Sequence, residues 1–256
     1  MHDKGDFKTM LFPSIHKQKS EFLQGIYAGL SIALGYLPVA LTFGFIAETT
    51  GLTLLETIGM SAFVFAGASQ YMALSLIAIG TGALEIIFTT FIINIRHLLM
   101  STAISEKAEK DNPIIKGVYA FGMTDEVFAV TSTKAGKLTS PYILGVGCLA
   151  YSSWVINSGI GYIIGTSLPE ILQKSMSIAL YALFIALLVP SLKKHRKIIM
   201  LACFAAFLNA ILTLFIPTGW AIIIATLASA TGIEVLYSKK TNMMDAHQEN
   251  IDKECG

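Results

Sequence analysis

Cysteine and charge are both scarce in this chain of 256 residues. Three cysteines, Cys148, Cys203 and Cys255, form no C-x-x-C or Cys/His spacing. That excludes a disulfide framework or a zinc site and predicts that they are small buried apolar residues. Charged residues make up only 14% of the chain, against about a quarter in ordinary soluble domains. With 54% apolar residues and a mean hydropathy of +0.65, disorder and a water-soluble domain are both excluded. The 18 Lys and Arg nearly balance the 17 Asp and Glu. The basic residues that cluster do so at termini and in short loops, so no nucleic-acid-binding face is implied. What is abundant is uninterrupted apolar sequence, and the chain reads as a membrane protein whose first partner is the lipid bilayer.

Residues 25–47 carry no charge, and at about 1.5 Å per residue they reach roughly 34 Å, enough to cross a hydrocarbon core of about 30 Å. The charged arm Met1 to Glu21 before them is too long for a signal peptide and the apolar run exceeds an h-region, so this helix is expected to persist. Further apolar segments are Thr57 to Ile79, Ile86 to Ser105, Tyr142 to Leu168, Ser175 to Pro190, Ile198 to Ile216 and Gly219 to Leu236. No β-alternation suggests a barrel. Ile114 to Thr131 is apolar except for Lys116, Asp125 and Glu126, and hydropathy alone omits it.

Loop charge arbitrates, because Lys and Arg in short loops favour the cytoplasm. Lys4, Lys8, Lys17 and Lys19 in the arm and Lys193, Lys194, Arg196 and Lys197 should share that side. An even number of crossings must then separate them, which counting 114–131 supplies. The scheme places Lys134, Lys137, Lys239 and Lys240 inside and the Glu106 to Asp111 loop outside. The fold class expected is an all-α polytopic membrane protein of about eight transmembrane helices with both termini cytoplasmic. Seven is the alternative, as when 86–105 is re-entrant. The organisation is an arm over 1–21, a permease domain over 22–237 and a polar tail over 238–256.

Ser61-Ala62-Phe63-Val64-Phe65-Ala66 resembles Ser177-Ile178-Ala179-Leu180-Tyr181-Ala182 at an offset of 116, and Asn94 and Asn209 stand 115 apart. An internal repeat and chance likeness between apolar helices both remain open. Gly25-x-x-x-Gly29 and Gly161-x-x-x-Gly165 point to close helix packing.

In hydrocarbon an unpaired charge or backbone group costs several kcal/mol, so polar residues inside the spans carry most of the information. Arg96 and His97 fall midway along the third segment, although a shorter span would make Arg96 an interfacial anchor. Asp125 and Glu126 project about 100° apart on a helix, so one is expected to face inward, unless 114–131 is a surface loop. An acid and an arginine on neighbouring spans would make each other's burial tolerable. Gly67-Ala68-Ser69-Gln70 puts small residues and an amide at mid-membrane, where a helix could break. Pro38 is expected to kink the first span. Asn94, Asn157 and Asn209 add buried amides, each alone more typical of an interhelical hydrogen bond than of a binding group.

Pro38 with Phe43-Gly44, then Ser61 and Phe65-Ala66-Gly67-Ala68-Ser69-Gln70-Tyr71, then Asn94-Ile95-Arg96-His97 and Met100, and finally Thr124-Asp125-Glu126-Val127-Phe128-Ala129, resemble the AzlC family over residues 22–132. These are large subunits of branched-chain amino acid exporters linked to azaleucine resistance. The resemblance implies a bacterial inner-membrane permease working with a small hydrophobic AzlD-like partner, and importance for Gln70, Asn94, Arg96, His97 and Asp125.

The expected function is therefore proton-coupled export of leucine, isoleucine and valine, with a passive channel or facilitator as the alternative. A zwitterionic substrate needs an anion site, an ammonium site and an apolar pocket. Arg96 or the amino terminus of a broken helix could take the carboxylate, and Gln70, Asn94 or Asp125 the ammonium. Ser69 belongs to the same substrate-binding set, while Phe43, Phe65 and Tyr71 could line the pocket. Asp125, with Arg96, is the candidate proton carrier, although ion pairing opposes proton uptake unless the pair separates. His97, Glu126, Asn157 and Asn209 are further candidates. An enzyme is not expected, since HExxH is absent and Gly67-Ala68-Ser69-Gln70-Tyr71 lacks the last glycine of GxSxG. No cofactor or metal is called for.

Overall fold

The computed structural model describes residues 13–167, 169, 171, 178, 185, 189, 193 and 196–235. Most of the expected span over 175–190, most of the second copy of the candidate repeat, most of the arm, and the tail lie outside the described residues. The described residues form helices, plus one parallel bridge between Ala108 and Leu138. In chain order these are α1 (Pro13–Thr49), α2 (Leu54–Phe63), α3 (Gly67–Ala78), α4 (Ala83–Lys107), α5 (Pro113–Phe121), α6 (Asp125–Ser132), α7 (Ser140–Ile164), α8 (Arg196–Leu212) and α9 (Thr218–Val235). Four stretches, Glu21–Thr49, α4, α7 and α9, are long and apolar enough to cross a membrane. The chain divides into one compact unit of Met1–Ile79 with Ile93–Leu180 and another of Gly80–Ile92 with Tyr181–Gly256, so α4 contributes to both.

The first unit is built on α1 and α7, which pack backbone to backbone because glycine faces glycine. A Cβ on Gly25 would collide with the Tyr142 carbonyl, and one on Gly145 with the Phe22 carbonyl. Further along, Gly44 meets the Ser158 carbonyl and Gly161 the Leu41 backbone. Such small-residue seams let helices approach without a solvent-driven hydrophobic term. The contacts advance together along both chains, from Gly25 with Gly145, through the Ser153 hydroxyl on the Ala33 carbonyl, to Gly165 with Phe45. The two helices are therefore parallel.

Two segments expected to be continuous spans are each broken in the middle. Over 57–79 the chain leaves helical geometry at Val64 to Ala66. α2 starts beside the last turn of α7, where Tyr162 Oη donates to the Leu52 carbonyl, and descends to Ala62, whose carbonyl takes the Tyr151 hydroxyl. α3 then turns back, with the Tyr71 ring against Phe43, seven residues beyond the level of Tyr36. The segment is a hairpin entering and leaving at the ends of α1 and α7.

The second hairpin enters at the opposite end. α5 starts at Asn112, beside the bond between Ser140 Oγ and Asp111 and that from Glu109 N to the Leu138 carbonyl. It reaches mid-bundle at Phe121, which meets the Tyr151 ring, and the chain breaks at Gly122 to Thr124. α6 returns, and Lys134 pairs with Glu21 at 2.5 Å. The structure therefore differs from the expectation that 114–131 crosses and places 106–111 and 134–137 on opposite sides. At nine and eight residues, α5 and α6 reach only about 12–14 Å each. Thr124-Asp125-Glu126 is a helix start, with the Thr124 hydroxyl capping Val127 N and two acids in the first turn. α4 runs from Arg96, beside that tip, down to Ala108, beside the hairpin's base.

In the second unit, Glu85 caps α9 from outside, accepting the Trp220 backbone N–H at 3.2 Å, and Phe88 packs on the Trp220 ring. Lys197 on α8 pairs with Glu234 on α9 at 2.6 Å. Cys148 on α7 and Cys203 on α8 are exposed rather than buried. A thiol's apolar character suits a lipid-facing position equally well.

Candidate functional site

The tips of the two hairpins meet the middle of α1 and α7. Phe65, at the first tip, packs edge-on against Tyr36 (6.3 Å between ring centres) and Tyr151 (5.3 Å). At the second tip, Phe121 meets Tyr151 from the other side at 6.0 Å. Tyr36 Oη lies 2.8 Å from Thr124 Oγ1 and donates to Glu126 Oε2 at 2.5 Å. Tyr36 and Tyr151 thus each touch both tips.

A closed ring of hydrogen bonds fixes the first tip. Trp154 Nε1 donates to Gln70 Oε1 at 2.9 Å, Gln70 Nε2 to Ser61 Oγ at 3.2 Å, and Ser61 to Ser158 Oγ at 2.9 Å. Ser158 in turn donates to the Trp154 carbonyl at 2.8 Å. Gln70, Ser61 and Ser158 are fully buried, and the ring satisfies groups that would otherwise each cost about 1–3 kcal/mol. Gly67 makes room for Trp154, since a Cβ there would stand 2.8 Å from the indole. Ser69 bonds back to the Ala66 carbonyl, and no side chain caps the amino terminus of α3. The first amides of that half-helix therefore keep their affinity for an anion.

At the second tip Arg96 Nη1 stands 2.9 Å from Asp125 Oδ2. Arg96 Nε is buried with no hydrogen-bond partner, and so is Asn94 Oδ1 two residues earlier on α4. Asp125 and Glu126, adjacent in sequence, have separate partners, Arg96 and Tyr36, as their angular separation on a helix requires.

The structure thus brings Gln70, Ser69, Phe65 and Tyr71 to one tip and Arg96, Asp125 and Glu126 to the other. Tyr71 is anchored by its hydroxyl to the Val39 carbonyl at 2.7 Å. His97 follows Arg96 on α4, where its carbonyl accepts the Ser101 hydroxyl. Asn157 bonds within α7, to Ser153. Asn209 lies on α8 in the second unit, with its Oδ1 buried and unpartnered. Sequence reasoning missed Tyr36, Tyr151 and Trp154. Their signal was a polar-tipped aromatic ring inside an apolar run.

Comparison with known proteins matches the sequence pattern described as AzlC protein to residues 31–168. A membrane protein of Archaeoglobus fulgidus, named as uncharacterized, is 35% identical over 174 residues, covering 67% of this chain and 76% of that protein. The inner membrane protein YgaZ of Escherichia coli (strain K12) is 28% identical over 209 residues, 77% of this chain and 84% of its own. The branched-chain amino acid transport protein AzlC of Bacillus subtilis (strain 168) is 26% identical over 172 residues, 66% of each chain. No solved structure matches. With more than half its length inside the family pattern and relatives named as membrane proteins, the chain belongs to the AzlC family and is a membrane protein.

Proposed function

We propose that this protein is the large subunit of an exporter of branched-chain amino acids, driven by the proton motive force and completed by a small hydrophobic AzlD-like subunit in a bacterial inner membrane. The observation that carries the reading is the meeting of two broken helices at mid-bundle, one with an uncapped amino terminus and the other with an Arg–Asp pair. Broken helices of this kind expose polar groups to a substrate at bilayer depth, where an unbroken helix would satisfy them internally. The substrate carboxylate is assigned to the first amides of α3 or to Arg96. Its ammonium goes to Asn94, Asp125 or Gln70, and its aliphatic side chain to the rings of Phe65, Tyr71 and Tyr36. Asp125 is the proton carrier, since its pair with Arg96 is only partly enclosed and can separate during a cycle. His97, Glu126 and Asn157 support or extend this set.

The transport domain is 22–237. Its eight apolar segments divide into crossings by α1, α4, α7, the sequence 175–190, α8 and α9, and two hairpins. The end bearing Glu21 and Lys134, together with both termini, faces the cytoplasm, by the lysines of the arm and of 134–137. In cells freed of other exporters, this chain with its partner should move leucine outward against a gradient, and an uncoupler should abolish the flux. Asp125→Asn should keep leucine exchange while losing uphill export. Downhill flux indifferent to the uncoupler would instead mark a facilitator, and full leucine-analogue resistance from this chain alone would remove the partner.

A further inference from the structure

The two hairpins are not held alike. Four hydrogen bonds tie the first to α1 and α7: Trp154 to Gln70, Ser61 to Ser158, Tyr71 to the Val39 carbonyl and Tyr151 to the Ala62 carbonyl. Among the described residues, the tip of the second is bonded to that pair through one hydroxyl, that of Tyr36. Empty space flanks α5 on two sides. An apolar cavity of about 230 Å³ separates Phe121 and Gly122 from Gly147 and Cys148 on α7. An open groove of about 490 Å³ runs between Lys116 and Gly117 on one side and Thr102 and Ser105 of α4 on the other, and is bridged where the Ser101 hydroxyl donates to the Ala120 carbonyl at 3.4 Å. Tyr119, which lines both, has a buried hydroxyl with no partner. With an open groove on each side and Val118 and Phe121 exposed, this nine-residue helix can be displaced without tearing apart a packed core.

We propose that the second hairpin is the gate by which the site opens toward the end of the bundle that carries Glu21 and Lys134, and that Tyr36 is its latch. The proposal rests on the transport reading above and gives a positioning role to a residue of the unbroken helix α1. When the Tyr36 hydroxyl lets go of both Glu126 and Thr124, the tip loses its bond to α1 but keeps Asp125 on Arg96, so it swings on the α4 side. α5 then moves into the space beside it. The first hairpin, closed by its ring of bonds, stays in place as the opposite wall, and Tyr151 keeps its bond to Ala62 while Phe121 leaves it.

The test uses the full chain with Cys148, Cys203 and Cys255 replaced and a single cysteine introduced at either tip, Met123→Cys or Ala66→Cys. Both native residues are buried. Reaction rates with an impermeant thiol reagent are measured from each face of the membrane, with and without Tyr36→Phe. Loss of a hydrogen bond to a carboxylate should raise the rate at position 123 about tenfold or more. The rise should come from the face that also labels a cysteine at 137, and the rate at 66 should not change. Glu126→Ala removes the charged acceptor but leaves the Tyr36–Thr124 bond, and should raise the rate at 123 in the same direction by a smaller factor. An unchanged rate at 123 in both variants, an equal rise at 66, or reaction from the opposite face would each overturn the gate. If 123 opens as expected but leucine alters no rate at either tip, the gate stands and the substrate assignment falls.

Discussion

Arg96, at the middle of α4, and Asp125, the first residue of α6, form an ion pair at 2.9 Å between a long helix and the tip of a half-length hairpin. With Arg96 40% and Asp125 25% exposed in the chain alone, neither charge is fully desolvated, which limits the strength of the pair. A double-mutant cycle of Arg96→Ala and Asp125→Ala, followed by thermal unfolding in lipid nanodiscs, should give a coupling of about 0.5–3 kcal/mol. Each single variant should also lose uphill export. Strictly additive stability losses would show that the two residues do not support each other.

The hairpins decide the topology. Because 108–111 lies against 138–140, single cysteines at 110 and 137 should react with an impermeant maleimide from the same face of the membrane. A cysteine at 48, at the far end of α1, should react from the other. Reaction of 110 and 137 from opposite faces would restore a crossing over 114–131.

Loop charge could not have made that distinction, because it counts crossings only modulo two. Replacing two crossings by two hairpins leaves every basic cluster on its assigned side, and the parallel packing of α1 and α7 needs only an odd number of crossings between them, which α4 supplies. Sequence did reveal where the first of these helices breaks, since Gly67-Ala68-Ser69-Gln70 is legible as a weak point; Thr124-Asp125-Glu126 reads in sequence as acids on a continuous helix, not as the start of a new one. What could not be read was that each half-helix turns back, since this depends on Tyr36 and Tyr151 meeting both tips, and Trp154 the first, from distant parts of the chain. The acids were legible as a pair of which one faces inward, yet both found partners, because Tyr36 offers Glu126 a hydroxyl that hydropathy does not register.

The glycine seam between α1 and α7 predicts opposite outcomes for two like substitutions. Gly161→Ala forces a methyl group into the Leu41 backbone, and overpacking of this kind costs about 1–3 kcal/mol. Gly35→Ala meets nothing within 4 Å and should be neutral or stabilising by up to about 1 kcal/mol through helix propensity. Melting temperatures in one detergent would check both. Equal losses would mean that the seam is not the close contact described.

The ring of bonds around Trp154 offers the most direct view of the first tip, because the chain has only two tryptophans. With Trp220→Phe, which lies in the other unit, all indole emission comes from Trp154. A leucine molecule seated between the α3 amides and the aromatic rings would change the polarity around that indole, so emission should shift with added leucine and saturate in the range where export does. Trp154→Phe keeps a ring in place but leaves Gln70 Oε1 buried and unpaired, at a cost of about 1–3 kcal/mol. Gln70→Leu strands the indole N–H in the same way, while Ser61 keeps its bond to Ser158. Removing both partners together leaves fewer orphaned groups than the two single variants combined, so Trp154→Phe with Gln70→Leu should lose less stability than their sum. Emission indifferent to leucine at every concentration that supports export would remove the substrate from this tip, and additive losses would show that the indole and the amide are bonded in name only.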